Sequence, residues 1–345
     1  MELIKRIQAF GLLSQFLAEY KYDVTNENDY FTQAITKANY NNPWFTLNNI
    51  DYAINAIAKS ITKTEIESWI QHYSLDRLNP VKLRNVGVIM AGNLPLVGFH
   101  DFFYVLMSGH RILAKLSSDD IYLLPAIAKK LIEFEPEFIN LISFADNKLE
   151  NFDAVIATGS NNTARYFEYY FGKYPHIIRK NRNAIAILSG KENKIDLNNL
   201  SNDILRHFGK GCRNVSKIFV PEDYNFNMLL ETLAENAYMV DNTKYINNYD
   251  YYKSIYLINS QAFYDNGCVI LKEENLISSP ISVIYYEFYN DLNLINNFIL
   301  DNQDKIQCVV SSIASINNAV SFGKAQSPDL SDYADGIDVM AFLIN

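Results

Sequence analysis

Cysteine is scarce in this chain of 345 residues, with three at positions 212, 268 and 308. Three scattered cysteines cannot build a disulfide framework, and no CxxC or Cys/His pair has zinc-ligand spacing. That fits a reducing cytoplasm. Also missing is any block rich in Lys and Arg; the formal charge is −9, from 30 basic and 39 acidic side chains. Nucleic acid is therefore excluded as the main partner, because such binding rests on clustered positive charge. No apolar run reaches the ~18 residues of a membrane span. Neither GxGxxG nor GxxxxGKS/T occurs, which removes the two commonest nucleotide fingerprints. Internal repeats and low-complexity linkers are absent as well.

What is present suits a soluble globular protein: 49% hydrophobic and 20% charged residues, with abundant Tyr and Phe for a core. The length favours two domains. At the N-terminus, Ile4, Ile7, Phe10, Leu13 and Phe16 have helical spacing. Gln8, Gln15 and Glu19 interrupt the apolar stretch, and the segment reads as an amphipathic surface helix, not an export signal. Residues 1–80 read as helical scaffold, with Ile54, Ile57, Ile61 and Ile66 on one buried face and Trp44 and Phe45 anchoring a turn.

From residue 84 short apolar strands alternate with helical patterns. Strands are expected at 85–92, 111–117 and 152–160, with helices between and after them. Pro125 is tolerable only near the first turn of its helix. Further strands are expected at 184–188, 216–221, 281–288 and 307–313, with helices at 225–240 and 291–304. This alternation predicts βαβ units and a parallel sheet, whose ligands gather at the carboxyl ends of the strands. The expected division is 1–183 for N-terminal helices and a dinucleotide-binding domain, 184–320 for a catalytic domain, and 321–345 for a segment packing back near the interface.

Four features carry candidate chemistry. In HFGKGCRNVSKIFV, Cys212 sits in a Gly-Lys-Gly loop before a strand, and is either a reactive thiol or a buried structural cysteine. Lys210 and Arg213 flank the thiol and favour the thiolate, and loop amides can stabilise an oxyanion. Cys268 and Cys308 lie in apolar strand-like runs and read as structural. In AGNLPL, Asn93 follows a strand and either donates to an oxyanion or caps the helix that Pro95 starts. In AKLSSDD, Lys115 stands at a strand end, within reach of a ribose or phosphate, and Ser117 and Ser118 either cap the next helix or bind phosphate. In TGSNNTARYF, Gly159 and Ser160 lie between strand and helix, and either offer free N–H groups to a phosphate or form an ordinary glycine turn with a serine N-cap. His207, five residues before Cys212, is a further candidate to assist the thiol or act as a general acid or base. His100, His110 and His176 have no metal spacing.

The order of these features resembles the aldehyde dehydrogenase superfamily. Within it, GVIMAGNLPLVGFHDFFYVLMSGHRILAKLSSDD, FDAVIATGSNNTARYFEYYFGKYPHIIRKNRN and SPDLSDYADGIDVMAFL are similar to the LuxC-like acyl-CoA reductases, over roughly residues 80–345. The resemblance implies an aldehyde dehydrogenase-like α/β fold with a Rossmann-type cofactor domain. It makes Cys212 the nucleophile and Asn93, with the Cys212 backbone N–H, the oxyanion hole. Lys115, Ser117, Ser118, Gly159 and Ser160 would then hold the dinucleotide. The implied activity is reduction of an acyl thioester, such as acyl-CoA, to the aldehyde through an acyl-Cys212 intermediate. Self-association and an acyl-activating protein partner are further expectations.

Two departures from the superfamily stand out. The segment RKNRNAIAILSG lacks the glutamate base of hydrolytic members, which fits reduction better than aldehyde oxidation. LISSPI (276–281) replaces the glutamate that positions the cofactor ribose. Ser118 stands where NAD-selective relatives often have an acid, which favours NADPH, with NADH as the alternative. Asp119 next to it works against that preference. The rival readings are a cysteine-dependent acyltransferase or thioesterase without redox chemistry, and a non-catalytic scaffold for an acyl-activating partner.

Overall fold

The computed structural model describes residues 1–146 and 148–345, and the chain divides into two compact units. The first comprises residues 1–181 with 329–345, and the second residues 182–328.

The first unit opens with four helices: α1 (Leu3–Glu19), α2 (Tyr30–Asn41), α3 (Leu47–Ser60) and α4 (Lys63–Ile70). Asp29, Thr46 and Thr62 cap the last three, each accepting a backbone N–H three residues on. The expected buried face of α1 forms through Ile7, Phe10 and Leu13, whereas Ile4 is exposed. Phe10 meets Phe103 edge-on at 4.9 Å, the offset that ring quadrupoles favour. Ile54, Ile57, Ile61 and Ile66 are all buried, as their spacing predicts.

There follow β1 (Asn85–Ile89), α5 (Phe99–Met107), β2 (Arg111–Lys115), α6 (Leu123–Phe134), β3 (Ile142–Phe144), β4 (Ala154–Thr158), α7 (Asn161–Phe171) and β5 (His176–Arg179). The strands form one parallel sheet in the order β3-β2-β1-β4-β5. The near-continuous apolar runs of β1 and β4 reflect burial on both faces, whereas β2, β3 and β5 are only partly buried. Pro125 is the third residue of α6, within its first turn. Two details differ from the sequence reading. The helix after Asn93 begins at Phe99, so Pro95 lies in the preceding turn, and Gly98 is its N-cap. Strands β3 and β5, of three and four residues, are too short to show a period.

The second unit contains β6 (Asn183–Ile187), α8 (Lys194–Leu205), β7 (Val215–Pro221), α9 (Asn227–Glu235), α10 (Thr243–Ile258), β8 (Tyr264–Asp265), β9 (Ile270–Glu273), β10 (Val283–Tyr289), α11 (Leu292–Asp301) and β11 (Ile306–Ser311). Its sheet runs β11-β6-β7-β10-β9-β8, parallel except for β8 against β9. The sequence reading did not foresee α10. It is rich in tyrosine and buries only Tyr245, Tyr249 and Tyr256, so no apolar stripe marks it. A final helix, α12 (Val339–Ile344), returns to the first unit. Tyr104 on α5 donates to the Leu330 carbonyl at 3.0 Å, holding this returning segment.

Arg6 is fully buried in the first unit. Its guanidinium donates to the carbonyl of Met107, the last residue of α5, at 2.8 Å, to the Leu78 carbonyl, and to Asn79 Oδ1 at 3.0 Å. A cation at a helix C-terminus satisfies carbonyls that the helix leaves open. Burial pushes the guanidinium down to about 10, still far above neutral pH. Gly109 passes at φ +85°, and a Cβ there would lie 2.6 Å from Arg6 Nη1. Arg6→Met strands these carbonyls and is expected to cost about 2–4 kcal/mol. The shift of the urea midpoint measures it, and an unchanged midpoint refutes the role.

Candidate active site

In a parallel sheet all carboxyl ends share one edge. In the first unit the chain moves from β1 outward to β2 and β3, then crosses back to add β4 and β5 on the other side. The carboxyl ends of β1 and β4 therefore flank a topological switch point, where open α/β sheets take their ligands. Ile89 at the end of β1 is in register with Lys115 and Ala157 on its two neighbours. The loops bearing Asn93, Lys115, Ser117, Gly159 and Ser160 thus leave three adjacent strands at one edge.

Asn93, Lys115 and Ser117 are half-buried, while Ser118 and Asp119 are exposed. The loops after β1 and β2 touch: a Cβ on Gly92 would lie 2.3 Å from Ser117 Oγ, so position 92 admits only glycine while Ser117 stays in place. Ser117 Oγ accepts the Asp119 N–H at 3.3 Å. Neither serine caps α6, whose N-cap is Tyr122 without a side-chain bond. Asp120, which sequence reasoning passed over, is buried and accepts the Leu96 N–H at 2.7 Å. That bond holds the AGNLPL loop where Leu96 adopts a left-handed φ of 57°. Burial pushes the Asp120 carboxyl up to about 6.

At the end of β4, the Gly159 N–H donates to the Arg179 carbonyl at 3.2 Å. A Cβ on Gly159 would meet Phe167 at 2.9 Å and Thr163 at 3.0 Å, so glycine is needed for this close approach. Ser160 caps α7, its Oγ accepting the Thr163 N–H at 3.2 Å. Its hydroxyl thus has a structural task, and the other amides of the first turn form the anion-attracting end. Sequence reasoning also missed the pair of Arg179 and Asp101. Both are buried, and the guanidinium donates to the two carboxylate oxygens at 2.6 and 2.9 Å, tying the end of β5 to the first turn of α5.

In the second unit, α8 ends at Leu205 and the chain takes three successive left-handed steps, at His207 (φ 54°), Phe208 (φ 61°) and Gly209 (φ 71°). Only the third is glycine, so the first two are held against their intrinsic preference. Then comes a β-turn, Gly211–Asn214, with Cys212 at its first corner. The Asn214 N–H closes it on the Gly211 carbonyl at 3.0 Å, and the Gly211 N–H donates to Asn214 Oδ1 at 2.7 Å. Asn214 Nδ2 reaches back to the carbonyls of Asp203, Ile204 and Arg206 at 3.0, 3.2 and 2.9 Å. One buried carboxamide therefore joins the cysteine turn to the end of α8. The turn leads directly into β7.

Cys212 is exposed, Cys268 buried and Cys308 intermediate. Cys268 donates to Asn266 Oδ1 at 3.2 Å, and burial pushes its thiol up to about 11, away from reactivity. Lys210 and Arg213 are half-buried beside Cys212 in sequence. His207 is buried, and desolvation, aided by Arg206, pushes it down to about 4. At neutral pH it is uncharged, so it contributes no positive charge to a thiolate.

Glu192 is the acid that follows the 179–190 segment in sequence. It is buried and its carboxylate accepts the Ser189 and Gly190 N–H groups at 2.6 and 3.1 Å and the Ser189 hydroxyl at 2.7 Å. It shapes a turn. The segment 276–281 has no carboxylate, and the adjacent Glu274 pairs with Lys272 at 3.0 Å.

Two outcomes are expected from these contacts. Asn214→Ala takes a donor from the carbonyls of Asp203, Ile204 and Arg206 and the acceptor from the Gly211 N–H, and should cost about 2–4 kcal/mol in urea unfolding. A loss below half a kcal/mol would show that the turn closes without it. His207 has a folded-state value below its ordinary 6.5. Its stabilising contribution is complete above pH 6.5 and is lost as pH falls towards 4, because the unfolded chain takes up the proton first. Asp120 and Asp203, both raised to about 6, act in the opposite sense, so the test is a difference. Between pH 7.5 and 5 the melting temperature of wild type should fall further than that of His207→Gln. Parallel curves would refute it.

No family model matches the chain, and no curated protein matches it by sequence. Solved structures do match by shape. The aldehyde dehydrogenase KauB from Pseudomonas aeruginosa superposes with a TM-score of 0.66 at 13% identity, covering 93% of this chain and 76% of that one. An indole-3-acetaldehyde dehydrogenase complexed with NAD+ gives 0.64 at 13% identity, with 92% and 74% covered. A putative aldehyde dehydrogenase PutA from Anabaena variabilis gives 0.64 at 14%, with 93% and 79% covered. Identities this low speak to architecture alone, and on that ground the conclusion is firm: this chain has the aldehyde dehydrogenase fold.

Proposed function

We propose that this protein is an NAD(P)H-dependent reductase of acyl thioesters, acyl-CoA among them, that works through an acyl-Cys212 intermediate. The observation that carries the reading is Cys212 itself. Among the described residues it is the one exposed cysteine, set at the corner of a turn that a buried hydrogen bond helps to close. In the proposed reaction the Cys212 thiolate attacks the thioester carbonyl, the oxyanion is held by the Asn93 carboxamide and the Cys212 N–H, and the CoA thiol leaves. The dinucleotide, when bound, would supply the hydride that takes the acyl group to the aldehyde level, and cleavage of the carbon–Sγ bond then releases the aldehyde and restores the Cys212 thiolate.

The cofactor reading rests on the carboxyl edge of the first sheet. The α7 N-terminus, the close approach at Gly159 and the half-buried Lys115 fit a phosphate-bearing dinucleotide. Three of the fold neighbours are described as complexes with NAD+. Ser118 favours NADPH here, because no carboxylate at that position repels a 2′-phosphate. The acid chemistry supports reduction over hydrolysis. With Glu192 occupied in its turn, the 179–190 segment offers no base to activate water against an acyl-enzyme.

The test is oxidation of NADPH and of NADH with a panel of acyl-CoA chain lengths, comparing wild type and Cys212→Ala. Acyl-dependent oxidation that disappears in the variant is the expected result. CoA release once per Cys212, without oxidation of either nucleotide, would replace the reductase with an acyltransferase. Asn93→Ala should slow turnover by ~10²–10³-fold, as loss of an oxyanion donor does. An unchanged rate would remove Asn93 from the mechanism.

A further inference from the structure

Beyond the turn itself, a closed ring of hydrogen bonds surrounds Cys212 within the second unit. Arg213, the residue after the cysteine, donates from Nε to the Ala325 carbonyl at 2.6 Å. The Ala325 N–H donates to Asp203 Oδ1 at 3.1 Å, and the Gly323 N–H to Asp203 Oδ2 at 2.6 Å. The Asp203 carbonyl accepts from Asn214 Nδ2 at 3.0 Å and from Gln326 Nε2 at 3.4 Å. Asn214 is joined covalently to Arg213, which closes the ring. Ala325 is the cross-piece, since both of its backbone polar groups are used. Asp203 and Ala325 are each 0% exposed.

A fully buried carboxylate is an expensive way to hold a loop, because desolvation disfavours its charged form. Apolar packing would brace residues 323–326 at lower cost. What a carboxylate adds is direction: two backbone N–H groups aimed at one point fix the orientation of the Ala325 peptide, and with it the carbonyl that Arg213 reaches. We propose that Asp203 and Arg213 are positioning residues for the Cys212 thiol, latching the turn that carries it to the segment Gly323–Gln326. This rests on the reading of Cys212 as the nucleophile. The latched segment is also the stretch of chain that leads to Asp329, where the backbone rejoins the first unit.

The test reads the thiol directly and needs no substrate. Alkylation of Cys212 by iodoacetamide is followed by peptide mass spectrometry as a function of pH, with circular dichroism confirming the fold of each variant. Arg213→Met should slow alkylation at neutral pH about fivefold and move the midpoint of its pH profile, the effect of losing one charged-donor hydrogen bond. Arg213→Gln, uncharged but still a donor, should come within about twofold of wild type, since the tether remains. Asp203→Asn should slow alkylation as Arg213→Met does, and the double variant should be no slower than either single one, because both cut the same ring.

A Gln variant as slow as the Met variant would assign the effect to charge alone and overturn the latch. So would a Met variant that alkylates like wild type, or additive losses in the double variant. If Asp203→Asn fails to fold, the comparison of Met with Gln at position 213 decides alone. The outcome is separable from that of the proposed reaction: reductase activity surviving in Cys212→Ala sinks the latter and leaves the alkylation pattern readable.

Discussion

The presentation of Cys212 depends on how one carboxamide satisfies its neighbours. The Asn214 side chain has one acceptor and two donor hydrogens, and it meets one N–H and three carbonyls in a buried setting. A helix end normally leaves such carbonyls to water or to a cap. Here they are turned inward, and the chain leaves α8 by a left-handed path through His207 and Phe208 that neither side chain prefers. These left-handed steps lead directly into the turn that carries the exposed thiol. A cysteine on an ordinary loop would be exposed and mobile. This one is exposed at the corner of a closed turn.

Much of the scaffold is legible in the residues because its periods are local. Alternating apolar strands and helical patterns reveal the parallel sheets, and the carboxyl ends of β1, β2 and β4 can be placed before any coordinates are seen. Asn93, Lys115 and Gly159 follow from that placement. Long-range polar bonds escape such reading. Asp120 acts 24 residues away on Leu96, Arg179 acts 78 residues away on Asp101, and Asp203 acts 120 residues away on Gly323. Each is one polar residue among many in its own segment, with no spacing to set it apart. The helix α10 escapes for another reason: tyrosines populate both its buried and exposed sides, so the 3.6-residue stripe is blurred.

The aldehyde dehydrogenase fold leaves open which chemistry it carries, since function resides in the groups set upon it. Here the informative groups are carboxylates with other duties. Glu192 closes a turn, Glu274 pairs with Lys272, Asp101 pairs with Arg179, and Asp203 and Asp120 hold backbone amides. On the proposed reading, in which an acyl-cysteine is kept from water, acids engaged elsewhere serve the site.

The contact between Gly92 and Ser117 has a consequence for anyone who would re-engineer the protein. On the proposed reading the loop after β2 meets the nucleotide, and the loop after β1 carries Asn93. With no room for even a methyl group on residue 92 beside Ser117, the two loops are packed against each other one peptide from Asn93. If the two loops serve nucleotide and oxyanion as proposed, coenzyme preference and turnover would change together, and the loops would have to be redesigned as a pair.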